Sequence, residues 1–304
     1  MQSSFKYCIH IFLVIAVLSS CNDEITFNQG AAGNRMVVHA KAEVGKNLRL
    51  EIRQSELITE DTLEQPIDGV AIELFVNGLL RESAYTDLAG KALMNYNVTS
   101  HDSVRLEFSK PSFEDVYTQS IIPSAVGVLQ FDTTNKRPGV QGLRISFYDK
   151  PQEKNFYQVS LRGKRWYYTI DPNTGMRTDS MFSSEIIDMK SVNRLFFSDN
   201  NIVNNRQNFE LLNDQIFNGK NFVLDVDVST FQLSEQTDRS AVKELQLELK
   251  NISSDYYDFL TTLSLNRPVY GGPFSISSQV PSNIEGGYGV FATFSTDVAK
   301  IKIN

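Results

Sequence analysis

The feature that most constrains the fold is an alternation of apolar and polar residues with a period of two. In residues 36–44, methionine, valine and alanine alternate with histidine, lysine and glutamate. The same alternation returns at residues 48–53, 70–76, 104–108, 143–147, 157–161, 222–228, 245–249 and 290–294. This period is typical of strands that bury one face and expose the other, as antiparallel sheets do. The sequence therefore predicts a mainly β chain.

Turn residues and one helical segment complete the predicted architecture. Asn77-Gly78 lies between two apolar runs and favours a tight hairpin. Aromatic and leucine residues at helical spacing follow the possible N-caps Ser253, Ser254 and Asp255, which predicts a helix of two to three turns. We expect a mainly β fold of two Ig-like or transthyretin-like antiparallel β-sandwich domains, with one short helix near 255–265. The helix aromatics are expected in the core.

The N-terminus has the layout of a secretion signal. Lys6 supplies a positive charge, and the apolar run over residues 11–18 is too short to span a membrane. Residues 18–21, Leu-Ser-Ser-Cys, resemble a lipobox, in which a diacylglyceryl group is added to the cysteine. We therefore expect signal cleavage between Ser20 and Cys21 and a lipid anchor on Cys21. The alternative is a cysteine that lies by chance beside an ordinary signal peptide.

Cysteine usage and the next residues extend this expectation. Cys8 lies in the segment that would be removed, so the mature chain would keep Cys21 alone and form no internal disulfide. The acidic run over residues 22–24 resembles an export signal of Bacteroidota lipoproteins. It implies a protein that is lipid-anchored in the outer membrane and faces the cell exterior; a polar tether is the alternative.

Proline and glycine residues mark the expected domain boundary. They concentrate between residues 123 and 142, as they would in a linker or a crossing between sheets. The expected organisation is a lipoprotein signal peptide at 1–20, a lipidated tether at 21–33, an N-terminal β-sandwich at 34–125 and a C-terminal β-rich domain at 126–304.

Composition and residue patterns argue against nucleic-acid binding and against a metal site. The net charge is −7 and no basic stripe is present, so no nucleic-acid partner is expected. Beyond the signal the chain has two histidines: His39 lies on the polar face of a predicted strand and His101 lies in a turn. Neighbouring residues in one turn cannot form a Ser-His-Asp triad, and a zinc site lacks paired ligands. The sequence predicts no cofactor and no metal site.

Carboxylates and glycines receive structural interpretations. Asp225 and Asp227 alternate on one strand face, as do Glu244 and Glu248, and a solvated sheet face is favoured over a glycosidase pair. The glycine-rich run at 286–289 is interpreted as a turn or bulge that lets backbones pass closely. The chain is therefore expected not to be an enzyme.

One aromatic cluster is the preferred contact for a partner. Trp166, Tyr167 and Tyr168 lead into a turn at 171–175, and aromatic residues at a loop tip supply a large contact area. We expect a peptide or glycan ligand, or a partner protein, at this place. Burial in the core is the alternative.

Four short motifs match a loose pattern of Bacteroidota O-glycosylation, an aspartate followed by serine or threonine. The acceptors are Thr62, Ser103, Thr133 and Ser180. All four fall in expected loops, where a bulky glycan is tolerated.

Residues 69–123 resemble a known small module. A valine-rich strand, the Thr86–Gly90 turn and a later extended segment are similar to transthyretin-like and carboxypeptidase-regulatory-like modules. The resemblance covers about fifty residues and implies an Ig-like sandwich.

A second resemblance extends along nearly the whole chain. The residues that carry it are Cys21–Glu24, Gly69–Leu74, Asp149–Pro151, Asn155–Tyr157, Asp214–Lys220, Ser253–Tyr257 and Pro281–Phe291. In this order they resemble the Bacteroidota lipoproteins classed as domain of unknown function 4249 (DUF4249). The run Met36–Ala40 departs from the family's usual opening strand. The resemblance implies a location and a partner, because members tend to be encoded beside TonB-dependent outer-membrane transporters, and it implies no chemistry.

Three functions are consistent with these observations. The first is an accessory or binding lipoprotein of a TonB-dependent nutrient transporter. The second is a structural surface protein, such as an adhesin or fimbrial-type subunit. The third is a surface hydrolase, which would need a carboxylate pair in a cleft.

Overall fold

The structure, a computed structural model, describes residues 35–55, 65–192, 209–233, 240–265 and 280–303. In chain order the elements are β1 Met36–Glu43, β2 Leu48–Gln54, β3 Ala71–Val76, β4 Leu79–Tyr85, β5 Lys91–Met94, β6 Ser103–Ser109, β7 Val116–Ile121, β8 Val128–Arg137, β9 Val140–Tyr148, β10 Phe156–Ile170, β11 Arg177–Ile187, β12 Met189–Ser191, β13 Phe209–Asn213, a 3-10 helix Asp214–Ile216, β14 Asn221–Ser229, α1 Thr230–Leu233, β15 Ser240–Ile252, α2 Ser254–Leu265 and β16 Tyr288–Lys302.

The described strands form three sheets. The largest has the order β11-β10-β15-β16-β1-β2-β5, with β13 also beside β10. The other two have the orders β4-β3-β6-β7 and β12-β14-β9-β8. The predicted mainly β class with sandwich packing is confirmed.

Each smaller sheet packs on a different part of the large sheet. The first core lies between β1, β2 and the four-stranded sheet of β3, β4, β6 and β7, and its side chains include Leu48, Ile52, Leu74 and Phe108. The second core lies between β10, β15 and the sheet of β8, β9, β12 and β14, with Phe147 and Leu247 among its side chains. The alternating residues of the sequence supply both cores, because each strand turns its apolar face to the opposite sheet.

Strand β16 belongs to both sandwiches. Its first half pairs in parallel with β1, from Val37 beside Tyr288 to Glu43 beside Phe294. Its second half pairs antiparallel with β15. The predicted strands were all antiparallel, so the parallel pair was missed; hydrophobic alternation carries no information on strand direction. The domain boundary at 125/126 stays a prediction, and Phe291 from the far side of it packs in the first core.

Glycines allow β16 to enter between its neighbours. A Cβ at Gly287 would lie 2.6 Å from the carbonyl oxygen of Met36, and one at Gly286 would lie 2.7 Å from that of Asp115. Gly289 has a φ of +113°, and a Cβ there would overlap the carbonyl oxygen of Val38. The predicted close passage of backbones at 286–289 is confirmed.

Helix α2 covers part of the outer face of the large sheet. Leu260 is buried with Phe156, Ile252 and Phe294, and Tyr256 and Phe259 pack against this group. The predicted helix is confirmed, and its aromatic residues are half-buried against this group of core side chains. The described residues contain no helix long and apolar enough to cross a membrane.

Two turns were predicted with different success. Asn77 and Gly78 both have positive φ and connect β3 to β4, so the predicted tight hairpin is confirmed. The predicted linker at 123–142 is wrong beyond residue 127, because Pro138 and Gly139 form the turn between β8 and β9. Proline and glycine mark hairpin turns as well as linkers.

Candidate partner-binding hairpin

Strands β10 and β11 form a long antiparallel hairpin. Their register runs from Leu161 beside Ile187 to Tyr168 beside Ser180. In the turn, Oδ1 of Asp171 accepts hydrogen bonds from the backbone N–H groups of Asn173 at 2.7 Å and Thr174 at 3.2 Å. These bonds stabilise the carboxylate and hold the pKa of Asp171 below its usual value. The turn is therefore a defined structure.

The base of the hairpin is fixed in the second core. The Arg165 side chain is buried and donates to Oε1 of Glu185 at 2.9 Å and to the carbonyl oxygen of Gln232 at 2.5 Å. Gly163 lies where a Cβ would be 2.8 Å from Cδ1 of Ile187. A buried, paired arginine and close packing anchor the hairpin to the sandwich.

Two cations and three aromatic rings lie on one face of the hairpin. Nζ of Lys164 lies 4.0 Å from the ring centroid of Phe182 and 5.1 Å from that of Trp166. The two rings are 5.5 Å apart. Farther along, Cζ of Arg177 lies 4.4 Å from the ring centroid of Tyr168. We call these five residues the cation–aromatic ladder; the contacts of Lys164 and Arg177 with the rings are cation–π interactions.

Both faces of the outer part of the hairpin expose large apolar side chains. On the ladder side Phe182 is 57% exposed, and on the opposite side Met181 is 71% and Tyr167 41% exposed. On each face these side chains lie beside one another, and contiguous exposed apolar side chains can form an interaction surface.

The hairpin turn and the start of the folded body lie at opposite ends of the large sheet. Strand β1 begins beside Tyr288, at the start of β16. The other end of β16 lies beside Glu244 of β15, and Glu244 lies beside Lys164 of the hairpin. The hairpin continues beyond this row. At about 3.3 Å per residue, the path from Tyr288 to the turn covers on the order of 60 Å.

The predicted contact residues occupy a strand, and they divide between its faces. Trp166 and Tyr168 join the ladder, while Tyr167 points to the other side. Sequence reasoning missed Phe182 and Lys164, which join them only through the register of β10 and β11. No local pattern marks this pairing, because residues 181–187 do not alternate between apolar and polar.

A family model for "Domain of unknown function (DUF4249)" matches residues 22–300. The chain belongs to the DUF4249 family. No curated protein is similar to it in sequence.

Solved structures give distant likenesses. A beta-glycosidase from Bacteroides vulgatus is 12% identical with a TM-score of 0.20, over 72% of this chain and 24% of its own. The fimbrial protein FimP from Actonomyces oris is 9% identical with a TM-score of 0.22, over 83% of this chain and 66% of its own. The chain thus spans about a quarter of the first and two thirds of the second, and neither likeness bears on function.

Several DUF4249-like motifs meet in one buried polar cluster. Asp149 is fully buried, and its carboxylate accepts hydrogen bonds from the Tyr157 hydroxyl at 2.5 Å, the Asn155 amide at 3.2 Å and the Gly219 N–H at 2.8 Å. Burial is the main cause that raises the pKa of Tyr157, and the Asp149 carboxylate adds to it. Both carboxylate oxygens of Asp149 accept hydrogen bonds, and the side chain is not exposed to solvent. Its role is therefore to connect separate segments of the chain.

A second buried carboxylate extends this cluster. Oδ2 of Asp214 accepts from the Asn155 N–H at 2.7 Å, and the amide of Asn251 donates to Oδ1 of Asn155 at 2.9 Å. Asp149, Asn155 and Asp214 come from three of these motifs, and the motif of Asp214 lies far along the chain from the other two. The DUF4249-like pattern around them is thus explained by folding.

The remaining carboxylate candidates lie on exposed sheet faces. Asp225 pairs with Arg144, whose Nε is 2.7 Å away, and Asp227 pairs with Arg137. The hydrogen bond and charge of Arg144 hold the pKa of Asp225 below its usual value. The predicted solvated sheet face is confirmed for this pair. Within the described ranges, no three His, Cys, Asp or Glu side chains could hold a metal ion.

The predicted modification sites fall in several places. Ser20, Cys21 and Thr62 lie outside the described residues. Ser103 begins β6 and Thr133 lies within β8, and Ser180 lies within β11, so the expectation that they lie in loops is wrong. An aspartate followed by serine or threonine therefore occurs within strands as well as in loops. O-glycosylation of these residues stays a prediction.

Proposed function

We propose that the chain is a lipid-anchored outer-membrane lipoprotein without catalytic activity, held by lipid on Cys21 and facing the cell exterior. It serves a TonB-dependent nutrient transporter as an accessory or binding subunit. The observation that carries this proposal is the β10–β11 hairpin, which presents apolar side chains on both faces.

The chemistry of the hairpin favours binding over catalysis. Its ladder, built on Lys164, Trp166 and Phe182, offers ring surfaces and fixed cations, which suit recognition of a ligand or a protein surface. The candidate carboxylates Asp225 and Glu248 on sheet faces are paired with arginine. Such pairs suit solvated surfaces better than acid–base work.

The position of the hairpin fits an anchored protein. A lipid on Cys21 would tether the body where Arg35 enters β1, at the end of the sheet opposite the hairpin turn. The 14 peptide units between Cys21 and Arg35 can extend over at most about 50 Å. The hairpin turn, on the order of 60 Å along the sheet from Tyr288, would point away from the anchored end.

Co-purification tests the partner. The chain is extracted from its native membrane in mild detergent, and a transporter barrel is expected to accompany it. Replacing Met181 and Phe182 with serine removes two exposed apolar side chains without touching the buried base, so this variant should lose the barrel. Tyr85→Ser is the matched control, because Tyr85 is equally exposed on the distant strand β4. A free monomer from the wild type, or equal loss in both variants, contradicts the proposal.

The anchor has a separate test. Cys21→Ser should release the protein from the membrane fraction and remove the mass of the lipid. Retention in that fraction, at unchanged mass, contradicts a lipid on Cys21.

A structural surface subunit is the second candidate, and strand β11 favours it. Among the described strands β11 pairs only with β10, so its other edge is open along a segment containing Met181 and Phe182. An open edge can accept a strand from another chain. This function predicts ladders of polymers from cell surfaces; monomers alone contradict it.

A further inference from the structure

A positively charged face lies on the outer side of the large sheet and leads into the hairpin. One row of paired residues contains Arg162, Gln246 and Lys300, and the next row contains Lys164, Glu244 and Lys302. Residues directly opposite each other on neighbouring strands point to the same side of a sheet. We call the set the basic face: Arg162, Lys164, Arg177, Lys250, Lys300 and Lys302.

The carboxylates on this face are outnumbered. Glu248 lies 3.2 Å from Arg162 and 3.4 Å from Lys250, and Glu244 lies 3.8 Å from Lys300. Among the described side chains of this face, the cations outnumber the carboxylates Glu244 and Glu248, on a chain whose net charge is −7. Ion pairs on exposed sheet faces are weak, so Arg162, Lys250 and Lys300 remain able to bind an anion.

Exposure shows which cations can receive a ligand. The Arg162 side chain is 43% exposed and that of Lys300 56% exposed. Lys164 and Arg177 are held against Phe182 and Tyr168, which fixes their charge beside an aromatic ring. A guanidinium or ammonium held in place loses less conformational freedom when it binds a carboxylate.

The length of the face points to a polymer. From the row of Lys250 to that of Arg177 the cations extend over about 40 Å at the usual rise of a strand. A small anion would contact a single row. A membrane surface fits poorly, since the hairpin lies far from the end of the sheet where the chain enters.

We propose that the basic face binds an acidic polysaccharide. Uronate carboxylates pair with Arg162, Lys164 and Lys302, and the C–H-bearing faces of the sugar rings pack against Phe182 and Tyr168. The inference rests on the proposed function, since it names the ligand class that the hairpin end receives.

Fluorescence offers a direct test, because Trp166 is the only tryptophan of the chain. The mature chain in neutral detergent is titrated with polygalacturonate. Trp166 emission should change and saturate, and the affinity should fall at least about tenfold between about 0.05 M and 0.5 M salt, since surface charges are screened. Neutral dextran and poly-glutamate are the comparison ligands. No response, an equal response to dextran, or tighter binding of poly-glutamate overturns the proposal.

Matched variants identify the face. Lys302→Gln, which leaves the surroundings of Trp166 intact, should weaken binding several-fold, and adding Lys164→Gln should weaken it further. Lys220→Gln, at an exposed turn elsewhere, should leave it unchanged. If all three variants bind polygalacturonate with equal affinity, the assignment of binding to the basic face is contradicted. A chain that retains its transporter barrel but ignores polygalacturonate overturns this inference alone.

Discussion

The hydroxyl of Tyr157 donates a 2.5 Å hydrogen bond to Oδ1 of Asp149 in the interior of the second sandwich. Asp149 is fully buried, and it also receives bonds from Asn155 and Gly219. One carboxylate therefore joins the end of β9, the start of β10 and the turn before β14.

Tyr157→Phe tests this joint. The substitution keeps the ring but leaves a buried carboxylate with one donor fewer, which costs about 1–3 kcal/mol of unfolding free energy. Urea denaturation measures the loss. Tyr85→Phe, at an exposed position, is the control and should change little. Equal stability of the Tyr157 variant and the wild type would show that the bond does not stabilise the fold.

Gly289→Ala tests the entry of β16 into the large sheet. A methyl group there overlaps the carbonyl oxygen of Val38, and the φ of +113° is strained for any L residue. We expect a loss of roughly 3 kcal/mol or more, seen as a lower melting temperature. Gly45→Ala, at a positive φ with open space around it, is the control and should cost less. The reverse order would contradict the parallel pairing of β1 and β16.

Glu210→Gln tests a half-buried carboxylate on β13. Burial raises the pKa of Glu210, although the N–H of Ser191 donates to it at 3.3 Å and partly offsets the rise. A raised acid pKa means that the charged form destabilises the fold. This penalty is complete above the folded-state pKa and absent below the ordinary value of 4.5. The variant should therefore be more stable than the wild type at pH 8, and the difference should vanish near pH 4. A variant less stable at pH 8 would contradict the burial.

Arg165→Ala tests the base of the hairpin. It removes the donor to Glu185 and leaves the carbonyl oxygen of Gln232 without that bond. We expect faster amide hydrogen exchange along 161–187 while the first sandwich keeps its protection. Unchanged exchange in the hairpin would mean that packing alone holds it.

Much of the fold could be predicted from the sequence, because local patterns determine it. Alternating residues located β1–β3, β6, β9, β10 and β14–β16, but they did not locate β4, β5, β7, β8 or β11–β13. Asn77-Gly78 located a hairpin turn, and the glycines at 286–289 indicated a close passage of backbones. The parallel pairing of Val37 with Tyr288 could not be predicted, since it joins residues some 250 positions apart and depends on tertiary packing.

The candidate site was predicted in part. Trp166 and Tyr168 were chosen for their aromatic character, and they do lie on an exposed element. Lys164 lies close to them in sequence, but its cation–π contact is with Phe182 on the next strand. Only the register of β10 and β11 brings these two residues together. The site is formed by two paired strands, and the sequence pattern of one strand does not show which residues of the other lie beside it.

Photo-crosslinking in intact cells tests the central claim, that the hairpin is the contact surface of an anchored protein. A photoreactive amino acid is placed at Met181, at Tyr85 or at Phe231, all of which are exposed. We predict one discrete adduct with a membrane protein from position 181, and none from positions 85 and 231. Equal adducts from all three positions, or an adduct only from position 85 or 231, would contradict it.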